Sequence, residues 1–158
     1  MSAPDIMQRV LGIDFGQARI GVAVSDELGM LAHPVETIPA APLEKAAKRI
    51  AELAREKNVA NVVLGMPKHM SGEMGTAAAG VQAFAEKLRP LLLCPLILWD
   101  ERLTTTAANR ALREAGQKTR NTRGVVDQVA AQMILQGYLD RKQNERDRAS
   151  LPLIPPLR

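Results

Sequence analysis

Hydrophobic and polar residues change their spacing along the chain, and these changes predict its strands and helices. From Val10 to Ser25, two apolar runs flank the short polar break Gly16-Gln17-Ala18. Strand-forming residues on both sides of such a break predict a tight antiparallel hairpin. We expect Gly16 to adopt a positive φ angle in this turn, because glycine tolerates that conformation better than a β-branched residue does.

Strand and helix patterns alternate along the rest of the chain. Residues 30–38 form a predicted third strand, which Pro34 and Pro39 confine to a margin of the sheet. The remaining predicted strands span residues 61–65 and 96–99, and the predicted helices span residues 43–54, 81–88, 104–115 and 125 to about 139. This order predicts an α/β protein with a mixed five-stranded sheet, helices on both faces and one hydrophobic core.

The length and composition of the chain limit its organisation and location. A chain of 158 residues has the size of one domain, and such a domain buries roughly 70% of its unfolded surface. We expect residues 1–150 to form this domain and the proline-rich residues 151–158 to form a tail. No apolar run approaches the roughly 20 residues that span a bilayer, and residues 1–9 lack the apolar core of a secretion signal. We therefore expect a cytoplasmic protein without a membrane partner.

The positive charge is concentrated in one segment. The whole chain carries a formal net charge of +4, and residues 110–123 alone hold five basic residues against one acidic residue. Such a segment favours binding to a polyanion, although a run of charges is also typical of a solvated surface. Aromatic residues make up 3% of the chain, so few side chains are available to stack on bases. Nucleic-acid binding should therefore depend on phosphate contacts.

Carboxylates occur at three places that the predicted topology brings together. Asp14 lies inside the first strand pattern, where a buried charge is costly unless a metal ion, a cation such as Arg19 or an open cleft lies beside it. Asp100 and Glu101 directly follow the last predicted strand, and Asp127 begins the final helix. Sites in α/β sheets form at the ends of strands, so these acids are expected to converge.

Oxygen ligands of this kind favour a hard divalent cation. The chain has one cysteine, Cys94, and two histidines, and Cys94 is more typical of core packing than of redox or zinc chemistry. Carboxylates suit Mg²⁺ or Mn²⁺, and two such ions about 3.5–4 Å apart can promote phosphodiester hydrolysis. Each acid alone could instead cap a helix or a turn. Together with the basic segment, they favour a metal-dependent nuclease.

Four blocks of residues resemble a known family. They are Ile13-Asp14-Phe15-Gly16 with residues 19–25, Leu64-Gly65-Met66-Pro67, residues 99–105 and residues 126–131. In this order and spacing they resemble the YqgF/RuvX family of Holliday junction resolvases and pre-ribosomal RNA nucleases. The resemblance implies an RNase H-like fold, divalent-metal-dependent phosphodiester hydrolysis and processing of the 5′ end of pre-16S rRNA, with ribosomal particles as partners.

The resemblance also implies roles for individual residues. Asp14, Glu101 and Asp127 would be the catalytic acids that bind Mg²⁺ or Mn²⁺, and Asp100 would be either a further ligand or a support for Glu101. The candidate nucleic-acid contacts are Arg19, Arg102, Arg110, Arg113, Lys118, Arg120 and Arg123. The chain departs from the family pattern at Gln17-Ala18, where Thr-Lys is usual, and at Ser71, where Asp is usual.

Other functional classes stay open at this point. A Holliday junction resolvase or another structure-selective DNase would need a stable dimer to make paired cuts, and the apolar helix faces are all assigned to one core. We therefore expect a monomer or weak homodimer acting on pre-rRNA. A non-catalytic nucleic-acid-binding module would keep the basic surface alone. The Asp14-Phe15-Gly16 sequence also resembles the phosphate loop of actin-like ATPases.

Overall fold

The computed structural model describes residues 9–67, 76–100 and 123–150, and the side chains of 9–67, 77–100 and 128–149. Its strands are β1 (Val10–Phe15), β2 (Arg19–Ser25), β3 (Ala32–Pro39), β4 (Asn61–Met66) and β5 (Leu96–Asp100). Its helices are α1 (Leu43–Glu56), α2 (Thr76–Leu88), a short 3-10 helix (Arg89–Leu91) and α3 (Arg123–Ser150). The predicted helix over residues 104–115 and the predicted tail lie outside the described residues.

The five strands form one mixed sheet in the order β3-β2-β1-β4-β5. β2 is antiparallel to both β1 and β3, whereas β1, β4 and β5 run parallel to one another. The carboxyl ends of these three parallel strands therefore lie at one edge of the sheet. This arrangement confirms the predicted mixed sheet, and it places β3 at the margin, as the prolines of that strand predict.

The sheet separates two hydrophobic clusters, so the prediction of a single core is wrong. Leu11 and Ile13 of β1 pack with α1 and α2 on one face, in a cluster that includes Leu53 and Phe84. On the other face, strand residues pack against α3; they include Val10, Val63 and Trp99. Successive side chains of a strand point to opposite faces. Even-numbered residues of β1 therefore lie on the α3 face.

The predicted hairpin is present, but the role predicted for Gly16 is wrong. The glycine that has a positive φ angle among the described residues is Gly29, with φ 67°, in the turn between β2 and β3. Glycine is needed at position 16 because the backbone of Arg19 approaches it closely. A Cβ atom on residue 16 would lie 2.7 Å from the carbonyl oxygen of Arg19. The Gly16 N–H donates to the same oxygen at 2.9 Å. A side chain would thus disrupt the contact that closes the turn.

Helix α3 continues eleven residues beyond its predicted end near 139. Its last turns are polar, and pairs of side chains one turn apart stabilise them. For example, Lys142 lies 3.5 Å from Glu145, and Gln143 donates a hydrogen bond to Asp147 at 3.1 Å. Apolar periodicity could not predict this extension. Across the described part of the chain, no helix is long and apolar enough to cross a membrane.

Candidate active site at the carboxyl edge of the sheet

Asp14 lies near the end of β1, half-buried, on the face that α3 covers. It pairs with Gly21 of β2, and the pairing of Ile13 with Leu64 puts Gly65 of β4 at the level of Asp14 on the other side. Neighbours in register share a face of the sheet. The positions that flank Asp14 on both adjacent strands are therefore glycines, and no side chain from these positions covers its carboxylate.

Asp100 ends β5, in register with Met66 of β4. The Met66 side chain belongs to the cluster with α1 and α2, whereas the preceding residue, Trp99, packs in the cluster with α3. Strand alternation therefore assigns Asp100 to the face opposite Asp14. Asp14 and Asp100 share an edge of the sheet but not a face. Glu101 lies outside the described residues.

Helix α3 crosses the sheet over β1, β2 and β3. A Cβ atom on Gly12 would lie 2.6 Å from the Leu135 Cβ atom and 3.2 Å from the Ala131 carbonyl oxygen. The helix runs antiparallel to β1, because Gln128 bonds to Thr37 near the end of β3 whereas Gln136 bonds to residues at its start. The amino-terminal end of α3 therefore lies at the carboxyl edge of β1, β4 and β5.

This orientation brings the backbone of Asp127 toward Asp14. Asp127 lies one helical turn before Ala131, and Asp14 lies two residues after Gly12, above which Ala131 sits. One helical turn rises about 5.4 Å, and two strand residues advance about 6.8 Å. The two steps are nearly equal in length, so the backbone of Asp127 lies at the level of Asp14 along the direction of β1. The partial positive charge of a helix amino terminus favours anionic groups in this region.

The predicted cations fall into two groups. Arg19 begins β2, half-buried, two residues before Gly21, and strand alternation places it on the α3 face with Asp14. Arg123 begins α3 one turn before Asp127, although its side chain is outside the described set. The other predicted nucleic-acid contacts lie outside the described residues: Arg102, Arg110, Arg113, Lys118 and Arg120.

The described side chains contain no group of three or more His, Cys, Asp or Glu residues that could hold a metal ion. The predicted ligand set includes Glu101 and the Asp127 side chain, neither of which the structure describes. Sulfur chemistry receives no support from Cys94, which is half-buried against the core with α1 and α2. Burial raises the pKa of its thiol above the ordinary value, so less of the reactive thiolate is present at neutral pH.

Sequence analysis missed the polar residues that join α3 to β3. Gln128 donates a hydrogen bond from Nε2 to Thr37 Oγ1 at 3.2 Å. Two further glutamines on the same helix, Gln132 and Gln136, bond to the backbone of β3. A signal was present, because these glutamines recur every four residues and so lie on one side of the helix. The periodicity of apolar residues does not reveal a polar row of this kind.

Comparison with known proteins adds evidence that is independent of this geometry. A family model described as "RuvX: Holliday junction resolvase" matches residues 8–141. A protein of Chloroflexus aggregans named "Putative pre-16S rRNA nuclease" is 47% identical over 137 residues, which cover 87% of this chain and 96% of that protein. A Nocardia farcinica protein of the same name is 49% identical over 141 residues, covering 85% and 78% of the two chains.

The fold also resembles that of a solved structure. RuvC of T. thermophilus in complex with a Holliday junction substrate superimposes with a TM-score of 0.59 at 15% identity, covering 85% of this chain and 96% of that chain. At this level of identity the likeness concerns the fold. It confirms the RNase H-like architecture, with a mixed five-stranded sheet and helices on both of its faces.

Proposed function

The chain belongs to the RuvX family, and we propose that it is a divalent-metal-dependent nuclease that hydrolyses phosphodiester bonds. One observation carries the proposal. Asp14 lies at the carboxyl edge of the sheet, flanked by glycines, on the same face as the helix that contains Asp127. An acid in an apolar strand is costly, and a catalytic role at this edge accounts for it.

The proposed ligands for Mg²⁺ or Mn²⁺ are Asp14, Glu101 and Asp127. Their oxygen donors suit either ion, and the glycines beside Asp14 leave room next to its carboxylate. When bound, the metal activates a water molecule and stabilises the leaving oxygen of the phosphodiester. We assign Asp100 the supporting role, because its position on the opposite face argues against direct ligation together with Asp14.

The cations have a separate task in this proposal. Arg19, on the same face as Asp14, binds a phosphate of the substrate close to the acids. Arg102 and the basic segment 110–123 bind phosphates farther along the nucleic-acid strand. These contacts position the substrate without reading its bases. This division assigns orientation to the arginines and lysine, and chemistry to the carboxylates.

The proposed substrate is the 5′ end of pre-16S rRNA, within a ribosomal particle in the cytoplasm. The names of relatives that are 47–49% identical over most of the chain support this choice. A monomer or weak homodimer is sufficient, since trimming one flexible end requires no symmetric pair of cuts. Such an enzyme would also need few aromatic residues, because the particle holds the substrate.

Holliday junction resolution is the second candidate. The description of the family model and the likeness to RuvC favour it. A resolvase makes two symmetric cuts, so this candidate requires a stable dimer that sets two active sites apart. A stable dimer in solution together with paired cuts would therefore favour it over rRNA processing.

A panel of substrates tests the proposal. Precursor rRNA ends, single strands and four-way junctions are incubated with the purified protein in Mg²⁺, in Mn²⁺ and in a chelator. We expect metal-dependent shortening of the precursor end, and no cleavage by the Asp14→Asn protein, which also controls for contaminating nucleases. Equal cleavage by both proteins, or cleavage in the chelator, would contradict the proposal.

A further inference from the structure

A row of three glutamines joins α3 to the outer strand of the sheet. We call Gln128, Gln132 and Gln136, which lie one turn apart, the glutamine row. Gln136 accepts from the backbone N–H of Ala32 at 2.9 Å and donates to the carbonyl oxygen of Met30 at 2.8 Å. Gln132 donates to the carbonyl oxygen of Ala32 at 3.0 Å. Gln132 and Gln136 therefore satisfy backbone groups of Met30 and Ala32, at the start of the outer strand β3.

Gln128 differs from the other two members because its partner is a side chain near the active-site edge. Its Nε2 donates to Thr37 Oγ1 at 3.2 Å. Thr37 pairs with Gly21, which pairs with Asp14, so these three residues form one line across β3, β2 and β1. The ends of this line are two strand spacings apart, about 9.6 Å. Gln128 is thus anchored at the level of Asp14.

The described side chains at this end of the helix are less buried than those farther along. Among the described α3 side chains, which start at residue 128, full burial begins at Ala131. The large buried residues follow later, at Ile134, Leu135 and Tyr138. Apolar packing is therefore concentrated toward the middle of α3. The Gln128–Thr37 hydrogen bond is the described contact that lies nearest Asp127 in sequence.

We propose that Gln128 and Thr37 are positioning residues, whose hydrogen bond sets the location of Asp127 relative to Asp14. This inference rests on the proposed function, in which both acids serve one metal site. A displacement of about 1 Å in a catalytic group can cost about a hundredfold in rate. A single hydrogen bond one residue from Asp127 can limit both the sliding of α3 along its axis and its rotation about that axis.

Three variants separate positioning from general stability. Gln128→Leu and Thr37→Val remove the donor and the acceptor of this bond with little change in volume. Gln132→Leu is the matched control, because it removes a hydrogen bond from the same row to β3 but one turn farther from Asp127. Thr37→Ser keeps the acceptor hydroxyl and is expected to retain activity.

The first readout is cleavage of precursor rRNA ends. We expect Gln128→Leu and Thr37→Val to lower kcat about tenfold at saturating metal, which is typical of losing an outer contact of a metal site, with little change in KM. The double variant should be no slower than either single variant, because each already breaks the same bond. Gln132→Leu should cleave at nearly the wild-type rate. Equal losses in Gln128→Leu and Gln132→Leu, or additive losses in the double variant, would overturn the inference.

The second readout needs no enzymatic activity. Amide hydrogen exchange in residues 127–131 should accelerate in Gln128→Leu and Thr37→Val but not in Gln132→Leu. Unchanged exchange in Gln128→Leu would overturn the positioning role even if the wild type proves to be a nuclease. A wild-type protein that does not cleave would instead overturn the proposed function, and the catalytic meaning of the positioning role with it, whatever the exchange shows.

Discussion

The two faces of the sheet differ although the same strands build both. Toward α1 and α2, β1 presents Leu11, Ile13 and Phe15, and the Phe15 ring stacks on Phe84 with centroids 4.8 Å apart. Toward α3, the same strand presents Gly12 and Asp14. In β1, the first face carries large apolar side chains throughout, whereas the second carries Val10 at the start of the strand and then Gly12 and Asp14 toward its carboxyl end. One strand can therefore contribute to a core and also carry the proposed active-site acid.

The helices are also held in different ways on the two faces. α1 packs through six buried residues and gains a further link through Arg49, which forms two hydrogen bonds with Glu36 of β3 at 2.8 and 3.0 Å. The amino-terminal part of α3 gains a hydrogen bond from Gln128 to Thr37 of β3. Apolar packing provides stability without fixing one geometry closely, whereas directional bonds fix a position.

The largest predicted effect is the loss of activity when a proposed metal ligand is replaced. Glu101→Gln and Asp127→Asn should each reduce cleavage about a thousandfold, and the double variant should lose little more, since ligands of one metal cluster act as a unit. Single-turnover cleavage of precursor rRNA ends measures this. Losses that multiply in the double variant would show that the two acids do not share a site.

The next prediction compares substitutions at two adjacent residues of β1, whose side chains lie on opposite faces of the sheet. Leu11→Ala leaves a cavity on the α1 and α2 face and should cost about 2–5 kcal/mol in the free energy of unfolding, with normal cleavage per folded molecule. Gly12→Ala places a Cβ atom 2.6 Å from the Leu135 Cβ atom, so it should cost about 1–3 kcal/mol and also lower cleavage by moving α3. Urea denaturation and cleavage rates are measured together. Normal cleavage by Gly12→Ala would mean that α3 can shift without consequence for the site.

A smaller effect concerns the basic segment. Arg120→Ala and Arg123→Ala should each reduce the slope of log affinity against log salt by about 0.7–0.9, similarly for unrelated sequences, because each removes one phosphate contact. Affinity is measured by fluorescence anisotropy across a range of salt concentrations. Arg146→Ala, in the exposed last turns of α3, is the control. Unchanged slopes for both arginines would identify the segment as solvated surface.

The smallest predicted effect concerns the ion pair between Arg49 and Glu36, on the face that packs against α1 and α2. The hydrogen bond from Arg49 holds the pKa of Glu36 below its ordinary value of 4.5. Because the pKa of Glu36 is lower in the folded protein, the ion pair stabilises the fold above pH 4.5. This stabilisation is lost as the pH falls through the pKa that Glu36 has in the folded protein. Both side chains are about one-third exposed, so the contribution should stay below about 1 kcal/mol. Glu36→Gln should reduce the acid-dependent loss of stability in urea denaturation below pH 4.5 and leave cleavage unchanged.

The sequence predicts the sheet well because strand periodicity and turn residues are local signals. Every described strand and helix overlaps a predicted one, apart from the short 3-10 helix, which contains the predicted stop at Pro90. The bounds of the helices are less accurate, because α2 begins at Thr76, five residues before its predicted start, and α3 extends past its predicted end. Asp14 could be identified because a charge in an apolar run is locally anomalous. The glutamine row could not be identified in this way, because its meaning depends on the distant strand β3, and a polar helix side usually faces solvent. The close approach of α3 at Gly12 is equally non-local.

The central claim is that Asp14 serves a metal-dependent nuclease site on the α3 face. The most direct test compares wild type, Asp14→Asn and Glu36→Gln in single-turnover cleavage of precursor rRNA ends with Mg²⁺ or Mn²⁺, with thermal unfolding of the same samples. We predict that wild type and Glu36→Gln cleave alike, whereas Asp14→Asn is folded, with an unfolding temperature equal to or above that of the wild type, and inactive. A folded Asp14→Asn protein that cleaves at the wild-type rate would contradict the claim.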